Sequence, residues 1–216
     1  MSRTRLPNLK SSTPERGETL VSDTTAVRYF TLIDRIEILG QLMGGRIRVP
    51  REVFDPFEDN RVLPEDLLSE IGQTELYWAR KRSPDAGTHW SRFKALRHRT
   101  DIEVVDLDLG EAAIVGEVTA RRFLRRFGKA GRLGKGEAAA IALAERRGWT
   151  PIIDDRVARA VLKVRSSGTR CYTTDDMLRR AALAGIMSSQ HAENLYQEMR
   201  RLNYRGPSRL WEPDPG

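Results

Sequence analysis

LGKGEAAAIALAERRGWTPIIDDR, residues 133–156, is the stretch from which the fold is read. Gly136 opens a run of strong helix formers from Glu137 to Arg147, and Gly148 closes it. Thr150 to Ile153 then reads as a short apolar strand ending in Asp154 and Asp155. A helix followed at once by a short buried strand is half of a βαβ unit, and in parallel sheets ligands collect outside the carboxyl ends of the strands. The two aspartates sit at such an end, and Glu137 opens the helix leading to it.

The alternation continues in both directions. Upstream, Thr19 to Val21 predicts a strand running into Ser22, Asp23, Thr24 and Thr25. Val27, Phe30, Ile33, Ile36, Leu39 and Leu42 then recur at helical spacing from Ala26 to Met43, with Gly44 and Gly45 as the stop. Arg46 to Val49 predicts a second strand, with Pro50 opening a helix that Pro56 ends early. Pro64 to Trp78 reads as a helix, residues 83–88 as a loop, and Ile102 to Val105 as a third strand. A helix over 111–127 leads to the opening stretch. Downstream come a helix over 157–164, a fifth strand over 169–172 and closing helices over 175–184 and 188–202. Strands this short and apolar, each separated by helix, predict an α/β fold. The expected form is a doubly wound, mainly parallel sheet with helices on both faces.

A chain of 216 residues with 39% hydrophobic residues has the material for one domain with additions. Residues 1–17 read as a disordered basic tail, 18–204 as the domain with an insertion at about 57–100, and 205–216 as an irregular tail. The formal charge of +7 favours a polyanionic partner, nucleic acid before membrane. The single cysteine, Cys171, excludes an internal disulfide and fits a reducing compartment. The basic N-terminus lacks the apolar run of a signal peptide, and no stretch is long enough to cross a bilayer, so a cytoplasmic location is expected. His89, His98 and His191 lie far apart, and neither a GxGxxG nor a Walker A loop is present. Zinc and nucleotide-cofactor chemistry are therefore disfavoured.

Asp23, the Asp154/Asp155 pair and Glu137 all stand where strand meets helix, and a parallel sheet brings such ends to one edge. N-capping accounts for any one of them singly. Together they point to a cation, because crowded carboxylates repel unless one lies between them, and hard divalent ions such as Mg²⁺ take oxygen ligands. Asp175 and Asp176, which follow Thr173 and Thr174, read as helix caps, as do Asp106 and Asp108 ahead of Glu111. Arg121, Arg122, Arg125, Arg126, Lys129, Arg132 and Lys135 lead up to Glu137. The first five fall at spacings that set Phe123 and Phe127 on another face, a candidate track for phosphate.

These residues resemble the PIN-domain family, in particular its toxin-associated, VapC-like branch. The likeness is carried by VSDTT at the first strand, RIRVPREVFD after the second, GEAAAIALA, and IIDDR at the strand end, and it covers most of residues 20–204. It implies a Mg²⁺- or Mn²⁺-dependent nuclease acting commonly on RNA, with Asp23, Glu137 and Asp155 as metal-binding acids and Asp154 beside them. A cognate antitoxin and a second copy of the chain are further candidate partners. Two positions depart from the family pattern. The glutamate expected after the second strand is replaced by Asp55, with Glu52 and Glu58 as imperfect substitutes, and Ile153 stands where a Ser or Thr is usual. The alternative reading is a protein that keeps the fold and the basic surface and binds nucleic acid without hydrolysing it.

Overall fold

The structure, a computed structural model, describes residues 18–54, 69–96, 98–127 and 133–211. The N-terminal tail, Asp55, Glu58, Lys129, Arg132 and the last five residues lie outside them.

Strand β1 (Leu20–Ser22) pairs in parallel with β4 (Thr150–Ile152), Leu20 opposite Thr150 and Ser22 opposite Ile152. Strand β2 (Ile47–Pro50) pairs in parallel with β3 (Ile102–Val105). β1 lies beside β2, but no ladder joins the two pairs. The parallel α/β character is as expected, while the single sheet is replaced by two short pairs. The expected fifth strand shrinks to one parallel bridge between Ile152 and Tyr172. Proline chemistry explains this. Tyr172 N–H donates to Pro151 O, and Ile153 N–H donates to Tyr172 O. The next ladder bond toward Arg170 would need an N–H from Pro151, which has none.

Alternate strand residues feed two cores. Leu20 and Ile152 join Phe30, Leu39, Ile47 and Tyr196. Val21 and Ile153 join Val118, Ile141 and Leu162. Period-two alternation across β1 and β4 therefore sends side chains to helix layers on opposite faces.

The expected helix over 26–43 is two, α1 (Thr24–Leu32) and α2 (Ile36–Leu42). Asp34, at φ 56°, ends α1 in the left-handed conformation. Its N–H donates to Thr31 O and that of Arg35 to Phe30 O, at 3.0 and 2.8 Å, the paired bonds of a Schellman turn. Pro50 closes β2 rather than opening a helix, and its carbonyl accepts from Val53 and Phe54 in a turn. The next described helix, α3 (Glu70–Arg80), starts at the Ser69 cap, later than expected. α4 (Ala86–Leu96) takes in half of the expected loop.

Ala120, in an extended conformation, splits the helix expected over 111–127 into α5 (Leu109–Thr119) and α6 (Arg121–Leu124), followed by a 3₁₀ turn. The remaining helices are α7 (Lys135–Arg147), α8 (Arg156–Arg165), α9 (Thr174–Leu183) and α10 (Ser189–Arg201). The capping boxes expected from Thr173 and Asp108 both form, the first with Asp176 and the second with Glu111. Residues 203–211 are irregular yet anchored: Leu210 is buried, and its carbonyl accepts from Arg179. No helix among the described residues is long and apolar enough to cross a membrane.

Candidate functional site

Asp23 leaves β1 where Asp154 leaves β4, and the two strand ends are tied by Asp23 N–H donating to Ile152 O at 3.1 Å. Asp23 is fully buried and caps α1, its Oδ1 accepting from the Thr25 and Ala26 amides at 2.9 and 3.3 Å. Its Oδ2 is buried with no donor. Burial, followed by the nearby charges of Asp154 and Glu137, holds the Asp23 carboxyl well above the ordinary range.

Glu137 stands in the first turn of α7, with Oε2 also buried and undonated. Burial and then the neighbouring Glu70 raise its pKa to about 7, with a smaller contribution from Asp155. Two glycines make room for these acids. A Cβ on Gly134 would collide with the Glu137 carboxylate, and one on Gly136 would lie 2.6 Å from Glu70 Oε2 and 2.8 Å from Val53 Cγ2. The glycines of LGKGE thus permit the close approach of carboxylates as well as the start of the helix.

Asp154 and Asp155 are adjacent in sequence but differ in role. Asp155 caps α8, accepting from Val157 and Ala158 at 2.7 and 2.9 Å, and is exposed. Asp154 accepts three bonds: the Thr174 amide at 3.0 Å, the Thr174 hydroxyl at 2.5 Å and the Tyr204 hydroxyl at 2.5 Å. Burial nonetheless raises its pKa, with those donors opposing the shift. The Tyr204 hydroxyl also lies 3.0 Å from Asp175 Oδ1, its one proton shared between the two carboxylates, so the segment after α10 ties the end of β4 to the start of α9. Asp175 was expected only as a cap, and here it is buried and shares this tyrosine.

Glu70 was not recognised in the sequence. The first residue of α3, it accepts from the Gly136 amide at 3.2 Å and from the Thr24 hydroxyl, bridging the starts of α1 and α7. It is the first acid of the next described helix after β2, whereas the sequence offered Asp55, Glu52 and Glu58 there. Of these, only Glu52 is described, and its carbonyl accepts the Glu70 amide. Ser69 was the overlooked signal: a helix begun at that cap puts Glu70 in a first turn, as Glu137 is.

Two clefts meet at Glu137, and Arg28 lines both. The first, of about 790 Å³, runs along α3. The second, of about 750 Å³, holds Asp154, Asp155, Arg156, Arg159, Arg200 and Arg205. Arg121, Arg122, Arg125, Arg126 and Lys135 are exposed but line neither cleft. Phe123 and Phe127 pack on each other with centroids 5.5 Å apart, as the spacing implied. Cys171 is half-buried, and burial pushes its thiol up to about 12, as suits packing rather than nucleophilic attack.

Asp23 Oδ2 and Glu137 Oε2, each buried without a donor, are hard oxygen atoms of the kind a divalent cation takes, and a cation beside them would offset the burial and the neighbouring negative charge that raise both carboxyls. Among the described residues no group of three or more His, Cys, Asp or Glu side chains is placed to hold a metal ion. No protein-family model matches the chain, and no curated protein does.

Proposed function

We propose that this is a PIN-like, Mg²⁺- or Mn²⁺-dependent nuclease that hydrolyses phosphodiester bonds, in RNA ahead of DNA, and acts as a toxin-type ribonuclease with a cognate antitoxin. The observation that carries the reading is the pair of buried, undonated carboxylate oxygens of Asp23 and Glu137 at the carboxyl ends of parallel strands, with Glu70, Asp154 and Asp155 around them. The order β3, β2, β1, β4 and Tyr172 across the molecule supports a doubly wound origin for the two strand pairs. A divalent cation bound there supplies charge neutralisation at the phosphodiester and a nucleophile at neutral pH.

The residues of the chain have separable roles in this scheme. Asp23 and Glu137 would hold the cation, with the exposed Asp155 adding negative charge near Glu137. Glu70 spaces the start of α7 from α1 and keeps negative charge beside Glu137. Thr174 and Tyr204 fix Asp154 so that it shapes the field at Asp23 rather than moving. Arg28, Arg156, Arg159, Arg200 and Arg205 receive the flanking phosphates.

A second reading, a PIN-like protein that binds nucleic acid without hydrolysis, is favoured by one observation: the lack of a finished three-residue cage among the described residues. One experiment decides between them. Wild type and Asp23→Asn are incubated with single-stranded RNA and Mn²⁺ while thermal stability is followed in parallel. The nuclease is stabilised by Mn²⁺ and cuts, whereas Asp23→Asn does neither and still binds RNA. Equal cutting by the two proteins removes Asp23 from catalysis, and binding with no cutting under any metal establishes the second reading.

A further inference from the structure

Beyond Glu70, the exposed face of α3 has no part in that scheme. Glu70, Gln73, Thr74, Tyr77 and Lys81 recur at i, i+3, i+4, i+7 and i+11, one stripe of a helix continued through its C-cap. All five line the first cleft together with Glu137. Tyr77 is 55% exposed there, an aromatic ring that adds little to the core. It is nevertheless held in place. Its ring meets that of Trp78 edge to face, with centroids 5.2 Å apart, and Trp78 packs on the buried His89 of α4 at 4.4 Å. Lys81 Nζ lies 4.5 Å from the Trp78 centroid and 5.2 Å from that of Tyr77, which fixes a cation at the border of the pair. Arg28 and Arg201 line the same cleft.

We propose that this stripe is a stacking subsite for an unpaired base of single-stranded RNA, with Tyr77 as the platform and Lys81 as the contact to the adjoining phosphate. The proposal rests on the nuclease reading only for where the scissile phosphate lies. Tyr77 follows Glu70 by seven residues, about 10 Å along a helix axis. The stacked base therefore flanks the acids rather than occupying them. A ring presented in a cleft takes an unpaired base of any identity, because each offers a π-face that a duplex hides between its neighbours. The cations around it complement the phosphates on either side. The two clefts joined at Glu137 then form one path, with arginines at one end and the aromatic pair at the other.

The test measures binding of a fluorescently labelled single-stranded RNA, and of the same sequence as a blunt duplex, to the full chain in EDTA. Cleavage plays no part in it. Tyr77→Ala is expected to weaken single-strand binding by about five- to 150-fold with little change for duplex, and Tyr77→Trp to retain it. Lys81→Gln is expected to reduce the slope of log affinity against log salt by about 0.7. Single-strand binding that is unchanged in Tyr77→Ala, or lost equally for both RNAs, overturns the proposal. Because the readout is metal-free, a tyrosine-dependent preference for single strands in a protein that never cleaves would sink the nuclease reading alone. Cleavage by a Tyr77→Ala protein with unaltered binding would sink the subsite alone.

Discussion

Replacing Glu137 by Gln should make the metal-free protein more stable, and by an amount that depends on pH. In the folded chain the Glu137 carboxyl is raised from 4.5 to about 7, so between those values the folded state holds a proton that the unfolded state has released. Stability from this group is complete below about 4.5, falls as pH rises to about 7 and is level beyond. At about 1.4 kcal/mol per pH unit the full displacement amounts to about 3 kcal/mol at pH 8, and under about 1 kcal/mol remains at pH 5. For a chain of this length 3 kcal/mol corresponds to roughly 6–12 °C in Tm. Melting followed by circular dichroism in EDTA should therefore place Glu137→Gln well above wild type at pH 8 and close to it at pH 5. Saturating Mn²⁺ should narrow or reverse the gap at pH 8, since a ligand at one hundred times its Kd stabilises by about 2.7 kcal/mol and the amide binds it poorly. A variant that melts at or below wild type at pH 8 in EDTA would refute the account of Glu137 as a carboxylate made costly by burial and by Glu70 beside it.

Three further outcomes are expected. Gly136→Ala sets a helix preference of up to about 1 kcal/mol for alanine against overlap with Glu70 and Val53, and urea unfolding should show overlap winning, with a net loss of about 1–3 kcal/mol. Tyr204→Phe leaves Asp154 and Asp175 short of a shared donor, and the same measurement should record a loss of about 1–3 kcal/mol. Exchanging Arg156, Arg159 and Arg205 together for Gln should flatten the salt dependence of RNA binding by about 2, whereas exchanging Arg122, Arg125 and Arg126 should leave most of it, because only the first set lines a cleft with the acids.

The sequence carried the local structure well wherever a chemical signal marks an element. Gly148, at φ 68°, closes α7, Thr173 caps α9, and the acids after β1 and β4 fall at neighbouring strand ends. It was misleading where two signals compete. The apolar spacing from Val27 to Leu42 is unbroken although Asp34 reverses the chain within it, because a left-handed aspartate leaves no mark on periodicity. Pro151 looked harmless inside an apolar strand and in fact stops the ladder toward Arg170. Glu70 and Tyr204 were hidden for another reason: their partners, Gly136 and Asp154, lie far away in sequence, and no spacing rule reaches that distance. The arginine run before α7 suggested proximity to Glu137 along the chain, but the cations that line its clefts come mainly from α1, α8 and the end of α10.

Tyr204 ties the acidic centre to the order in which the chain folds. Asp23, Glu70, Glu137, Asp154 and Tyr204 are drawn from widely separated stretches, so each contact closes a long loop and forms late relative to local helices. A nascent or partly unfolded chain can hold α7 or α10 as helices while the carboxylates remain apart and hydrated. Any property that needs these acids side by side belongs to the completed fold, and because Tyr204 and Leu210 are members of the first core, freeing the segment after α10 loosens that core and the acidic centre together.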